Sequence, residues 1–93
     1  MKLYNNFAIR VIFDRESQAD AFKSKLDEKV DDLDITKRVI EEDGVTYYDM
    51  LLECKSGSSS LVNGTAIRWD KTDDPNDEET IGNFIRWLKD FPI

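Results

Sequence analysis

An Asp-Gly pair, Asp43-Gly44, lies between two strand-like runs and constrains the fold more than any other feature of the chain. Asp-Gly is a preferred two-residue loop of a β-hairpin, because both loop residues must adopt positive φ, which these residue types tolerate. If the pair forms the loop, Glu42 faces Val45 across the hairpin. Every other facing pair then follows by counting outward along the two strands.

The register obtained in this way agrees with the hydrophobic pattern of both strands. On one side of the hairpin the facing pairs are Val39–Tyr48, Lys37–Met50, Ile35–Leu52 and Leu33–Cys54. On the other side Ile40 faces Tyr47, and Arg38 faces Asp49. The first side is apolar except for Lys37, so we expect it to lie on the core. Lys37 is interpreted either as a specific charge partner or as a side chain that reaches past the sheet edge to water.

Period-two patterns predict two further strands. Residues Leu3 to Phe13 alternate and are rich in β-branched and aromatic types, which predicts the first strand of the chain. A last short strand is expected at Thr65 to Trp69, after the possible tight turn Asn63-Gly64. The serine-rich residues 55–60 are predicted to form a loop.

Helical spacing of apolar residues predicts two helices. Asp14 or Ser17 is expected to cap the first helix, and the second is expected to begin at Asp74-Pro75 and to stop before Pro92. The predicted buried stripes are Ala19, Phe22, Leu26 and Val30 in the first helix and Ile81, Phe84, Ile85 and Leu88 in the second.

These elements predict one α+β domain over residues 1–93, because a chain of this length has material for a single hydrophobic core. The expected order is β-α-β-β-β-α, with an antiparallel-rich sheet of about four strands and two helices packed on one face. The order resembles a ferredoxin-like unit whose final strand is displaced. That likeness concerns the fold and implies no function.

The formal net charge is −7, and much of the excess lies in the hairpin region, since residues 31–54 hold eight acidic and two basic side chains. This balance repels nucleic-acid phosphates and anionic membranes, so direct binding to either is not expected. A basic surface on another protein would be attracted. The alternative interpretation is that the charge only keeps a small protein soluble.

The chain contains no histidine and a single cysteine, Cys54. Histidine is the commonest general base and the usual partner of a nucleophilic serine or cysteine, so we predict that the protein is not an enzyme and needs no cofactor. Cys54 is expected in the core. The lone thiol, the lack of a membrane-spanning apolar run and the lack of a signal-peptide pattern together predict a cytoplasmic location.

One acidic segment has the alternating oxygen ligands of a calcium loop, at Asp70, Thr72, Asp74, Asn76 and Glu78. The match fails at two positions that the loop requires. Pro75 stands where the sharp turn needs glycine, and Ile81 stands where a bidentate glutamate is needed. Helix capping explains the same residues, so no metal site is predicted.

The outer side of the hairpin is the candidate site. Ile40, Tyr47 and Leu51 form an apolar group there with charged residues around them, which is typical of an interaction surface or a homodimer seam. Ordinary exposure of scattered apolar residues is the alternative. The predicted partner-binding residues are Ile40, Glu41, Glu42, Asp43, Tyr47, Asp49, Leu51 and Glu53.

The function expected from these features is that of a small acidic, non-catalytic binding protein that inhibits or modulates a partner. It would dock on a basic surface, such as that of a nucleic-acid-binding protein. In size and charge the chain resembles phage anti-defence proteins, DNA mimics and immunity proteins. The alternative function is that of a dimeric regulatory or small-ligand-binding domain, with the dimer formed through the sheet.

Overall fold

The computed structural model describes residues 8–54, 66–69 and 73–90. Its elements are β1 (Ala8–Phe13), α1 (Glu16–Lys29), β2 (Leu33–Glu42), β3 (Val45–Cys54), β4 (Ala66–Arg68) and α2 (Glu78–Lys89). The predicted order of strands and helices is therefore confirmed. Neither of these two helices, which have 14 and 12 residues, is long and apolar enough to cross a membrane.

The hairpin of β2 and β3 forms as its turn residues predict. Asp43 and Gly44 both have positive φ, 53° and 75°, which is the backbone of a turn whose twist matches that of the flanking strands. Glu42 pairs with Val45, and the facing pairs continue without a bulge to Leu33 and Cys54. The predicted register is confirmed at every pair.

The four described strands form a mixed sheet in the order β2-β3-β1-β4. The strand β3 is antiparallel to both β2 and β1, whereas β4 is parallel to β1. β1 and β2 therefore run in the same direction with β3 between them, which is a split β-α-β unit. The sheet is antiparallel-rich, as predicted, and β4 is its parallel edge.

The helix α1 packs the predicted stripe against the sheet, and Ala19, Phe22 and Leu26 have no exposed surface. Its start differs from the prediction. Arg15 occupies the N-cap position without a side-chain hydrogen bond, because the helix begins at Glu16 and Ser17 already lies within the first turn. Glu16 places a negative charge at the end of the helix where the dipole favours it.

The helix α2 begins later than predicted, at Glu78. Asp74 and Pro75 form a tight turn instead of a cap, in which the Asp77 N–H donates to the Asp74 carbonyl oxygen at 2.9 Å. Proline suits the second position of such a turn because its φ is already set. Asp77 is the cap, since its side chain accepts a hydrogen bond from the Glu79 N–H at 3.2 Å.

Both helices contribute to one core on a single face of the sheet, where β1 buries Ile9, Val11 and Phe13. An aromatic group joins the layers at its centre. The Phe22 ring of α1 lies 5.0 Å from each of the rings of Phe13, Trp69 and Phe84. The rings of Trp69 and Phe84 meet Phe22 edge to face and the Phe13 ring is tilted against it, and such contacts add to the free energy gained from burial alone. The core assignment of Cys54 is confirmed, and Trp69 is also buried, whereas Trp87 is 39% exposed.

Two glycine substitutions should have opposite effects on stability. At both Gly44 and Gly82 an added Cβ would meet no atom within 4 Å, so only backbone conformation distinguishes them. Gly44→Ala places a side chain at positive φ and should lower the free energy of unfolding by about 1–2 kcal/mol. Gly82→Ala, inside α2, should raise it by about 0.5–1 kcal/mol.

Urea denaturation of the wild type and the two variants measures both effects. A Gly44→Ala variant as stable as the wild type would contradict the turn conformation described here.

Candidate functional site

The face of the sheet opposite the core carries the candidate site, and we call it the open face because the described helices lie on the other side. Its side chains form rows across the strands. Starting from the loop of the hairpin, the rows are Glu42–Val45, Ile40–Tyr47, Arg38–Asp49–Ile12–Arg68, Thr36–Leu51–Arg10–Ala66 and Asp34–Glu53–Ala8. On this face, the apolar residues and the acidic residues predicted from the sequence therefore lie in different rows.

The hairpin tip, residues 41–45, projects beyond the rest of the sheet. β1 ends at Phe13, which pairs with Tyr48, so the tip has only two strands. Glu41, Glu42 and Asp43 are all exposed there. Val45 is 48% exposed beside them. The tip thus combines consecutive negative charges with an accessible apolar side chain.

Asp49 lies at the centre of the open face, and its side chain is fully buried. Its Oδ2 atom accepts hydrogen bonds from Arg10 Nε at 2.9 Å and from Arg38 Nη2 at 2.7 Å. The Oδ1 atom is buried and has no hydrogen-bond partner among the described residues. The carboxylate is therefore covered by two arginines from neighbouring strands, and it positions their guanidinium groups.

This arrangement changes which charged groups of the open face are accessible to a partner. Asp49 was predicted as a contact residue, but in this structure its carboxylate is not accessible to a partner. Arg10, Arg38 and Arg68, which we call the arginine belt, lie in the same two rows. The Arg38–Asp49 pair follows from the hairpin register alone. Arg10 and Arg68 could not be found in that way, because their positions depend on strands that are distant in sequence.

The predicted apolar residues lie on both sides of the arginine belt. The Tyr47 ring is stacked by the Arg68 guanidinium, whose central carbon lies 4.9 Å from the ring centroid. Together with Ile40 they line a small hollow of about 130 Å³, completed by Arg10, Ile12 and Glu42. Tyr47 and Ile40 are half-buried and adjoin the hairpin tip.

Leu51 and Glu53 lie beyond the belt, at the other end of the open face. Both are half-buried, and Glu53 faces Asp34 across the hairpin. Asp34 and Glu42 are eight positions apart on β2, which corresponds to roughly 27 Å at the usual rise of a strand. Apart from the central Asp49, the predicted binding residues therefore form one group at or beside the tip and a second group at the far end.

Lys37, on the core side of β2, is a specific charge partner. Its Nζ atom lies 2.7 Å from the Asp20 Oδ1 atom and 3.1 Å from the Glu16 Oε2 atom, both on α1. The hydrogen bond to Asp20, followed by that to Glu16, raises the pKa of Lys37 above its ordinary value. The lysine thus connects the edge strand β2 to the helix that covers the sheet.

The acidic segment before α2 has structural partners where it is described. The Asp74 Oδ1 atom accepts the Asn76 N–H at 2.9 Å. Glu78 pairs with Lys29 at 2.8 Å, and this hydrogen bond holds the pKa of the Glu78 carboxyl below its ordinary value. Asp70 and Thr72 lie outside the described residues. Within the described ranges, no three potential ligands of the Asp, Glu, Cys or His type are grouped as a metal would require.

A second feature is an open groove of about 580 Å³ between β4 and α2. Trp69, Phe84 and Trp87 supply aromatic walls, and the Trp69 Nε1–H donates to the Asp73 carbonyl oxygen at 2.8 Å. Its polar lining consists of Arg68, Asp73, Thr80 and Asn83. The volume lies in the range of small-molecule pockets.

Comparison of the chain with protein-family models, with curated proteins and with solved structures gave no match. The functional argument therefore rests on the geometry of this molecule.

Asp49→Asn should destabilise the protein, because two guanidinium groups lose the charge on which they converge. Hydrogen bonds to a buried charged group suggest a loss of about 1–3 kcal/mol in the free energy of unfolding. Glu42→Gln removes the same charge from an exposed position on the same face and should change stability by less than about 0.5 kcal/mol. Urea denaturation distinguishes the two, and equal stabilities would contradict the role given to Asp49.

Proposed function

We propose that this protein is a non-catalytic binding protein that docks its hairpin tip on a basic surface of a partner protein and thereby inhibits or modulates that partner. The observation that carries the proposal is the projecting tip itself. Glu41, Glu42 and Asp43 are consecutive and exposed at a place where only two strands of the sheet extend. Such a shape can enter a cleft that a flat sheet could not.

The charges and the apolar residues of the tip have different roles in this proposal. Exposed carboxylates accelerate the encounter with a basic surface and make it sensitive to salt, but they contribute little affinity by themselves. Val45, with Ile40 and Tyr47 in the next row, supplies apolar surface that slows dissociation once it is buried.

The arginine belt limits the form that the partner surface can take. A long basic groove that follows nucleic acid would meet the acidic tip favourably but would then meet the positive charges of Arg38 and Arg68. Like charges in contact oppose binding. Among the kinds of acidic protein considered, we therefore favour an inhibitor with a contact limited to the tip over a mimic of extended nucleic acid.

The proposal assigns no catalytic step and no cofactor, since the chain contains no histidine and the carboxylates of Asp49, Glu78 and Asp77 serve in ion pairs or in a helix cap. We propose the cytoplasm as its compartment, because Cys54 is the one cysteine of the sequence and is buried, so the fold does not rely on an internal disulfide.

The alternative, a small-ligand-binding regulatory domain, is supported by the groove between β4 and α2. Its aromatic walls suit a flat apolar ligand, and Asp73, Thr80 and Asn83 offer polar contacts. A domain of this kind would bind its ligand irrespective of charge at the hairpin tip. Substitution of the tip therefore separates the two functions.

The test is quantitative affinity capture from the native host, at low and high salt, with three immobilised forms of the protein. The tip variant carries Glu41→Gln, Glu42→Gln and Asp43→Asn, which removes three charges and keeps a residue that tolerates positive φ in the turn. The control carries Asp27→Asn, Glu28→Gln and Glu79→Gln, the same charge change on the exposed surface of the helices.

We expect the wild type and the control to retain the same partner at low salt, and the tip variant to lose at least about tenfold in retention. Raised salt should also reduce the retention of the partner by the wild type. Equal retention of the partner by all three forms would show that the acidic tip is not the docking element.

A further inference from the structure

We propose that the open face also binds a second copy of this chain, in a two-fold dimer whose axis runs along the Ile40–Tyr47 row. The observation behind it is that the charges on the open face are arranged to complement themselves. Glu42 lies two residues from that row on one side, and Arg38 lies two residues from it on the other. A negative end and a positive belt therefore flank an apolar row at equal spacing.

The geometry of such a dimer follows from its symmetry. The two-fold axis lies between two facing sheets and runs parallel to the rows. The strands of the second copy therefore run opposite to those of the first, and each strand lies across from its own equivalent. It places Glu42 of one copy opposite Arg38 of the other, and the same contact occurs twice because the interface is isologous. The Ile40–Tyr47 row meets its own copy on the axis. A rotation about the strand direction would instead place Glu42 near its own equivalent, which is unfavourable.

The side chains present on this face suit the contact. Arg38 is 54% exposed although its Nη2 atom is held by Asp49, so the guanidinium is fixed in position and still accessible. Val45, in the row of Glu42, faces the row of the second copy that contains Asp49 and Ile12. Burial of this exposed valine and of the Ile40–Tyr47 row provides the apolar part of the seam.

The dimer should be weak and reversible. Only three rows of each copy take part, and two chains of net charge −7 repel one another at long range. A dissociation constant between about 10 µM and 1 mM is reasonable for so small an interface. Because the same tip would contact a heterologous partner, the second copy and that partner would compete for it. The monomer is then the form that is ready to dock.

Sedimentation equilibrium of the protein alone tests the proposal. The wild type should show a monomer–dimer equilibrium at an ionic strength of about 0.15 M, where the long-range repulsion between the two acidic chains is largely screened. Glu42→Arg should raise the dissociation constant at least about tenfold, because the guanidinium introduced in each copy would then face Arg38 of the other. Glu28→Arg, the same charge change on α1, should leave the dimer unchanged or strengthen it.

The Glu28→Arg control distinguishes a specific dimer interface from general charge repulsion between the two chains. Both substitutions reduce the net negative charge equally, so general repulsion predicts stronger association for both. The proposal predicts weaker association for Glu42→Arg alone. The double variant Glu42→Arg with Arg38→Glu should restore the dimer when circular dichroism shows that it is folded. If Arg38→Glu does not fold, Glu42→Arg and Glu28→Arg still decide, because neither replaces Asp49 or one of the two arginines bound to it.

A wild type that stays monomeric up to about 1 mM at an ionic strength of about 0.15 M would overturn the proposal, as would a Glu42→Arg variant that dimerises as well as the wild type. Since the assay contains no other protein, either result would leave docking of the tip on a partner untouched.

Discussion

The turn at Asp43-Gly44 fixes the pairing of β2 with β3, and this pairing determines both faces of the sheet. Two consecutive residues at positive φ close the hairpin with no freedom in register, and side chains in a strand alternate between faces. A shift of one residue would move Met50 and Leu52 to solvent and bring Asp49 into the core. The local conformation of two residues thus decides which side chains form the core and which form the open face.

The second determinant is the convergence of Arg10 and Arg38 on Asp49. It ties β1, β3 and β2 together across the open face and covers a carboxylate that would otherwise contribute to the acidic surface. The chain is strongly acidic in total, yet the middle of this face exposes arginines and its accessible acids lie at the ends. Net charge therefore predicts long-range attraction to a basic partner, but it does not predict which part of the surface makes contact.

The parts of the fold that the sequence predicts are those determined by local chemistry. The hairpin register follows from one turn, and the buried stripes of α1 and α2 follow from helical spacing. Pairing of β1 with β3 and β4 joins residues that are far apart in sequence, so the arginine belt was not predicted. The cap of α2 was misplaced because Asp74-Pro75 suits both a helix start and a turn, and Asp77 provides the better cap.

Cross-strand nuclear Overhauser contacts in the hairpin of the protein in solution measure the register most directly. We expect contacts between the directly facing residues Val39 and Tyr48 and between Lys37 and Met50, with Asp49 facing Arg38. Contacts displaced by one residue along either strand would exchange the two faces of the sheet. That result would contradict both the buried core and the open face on which the functional proposals rest.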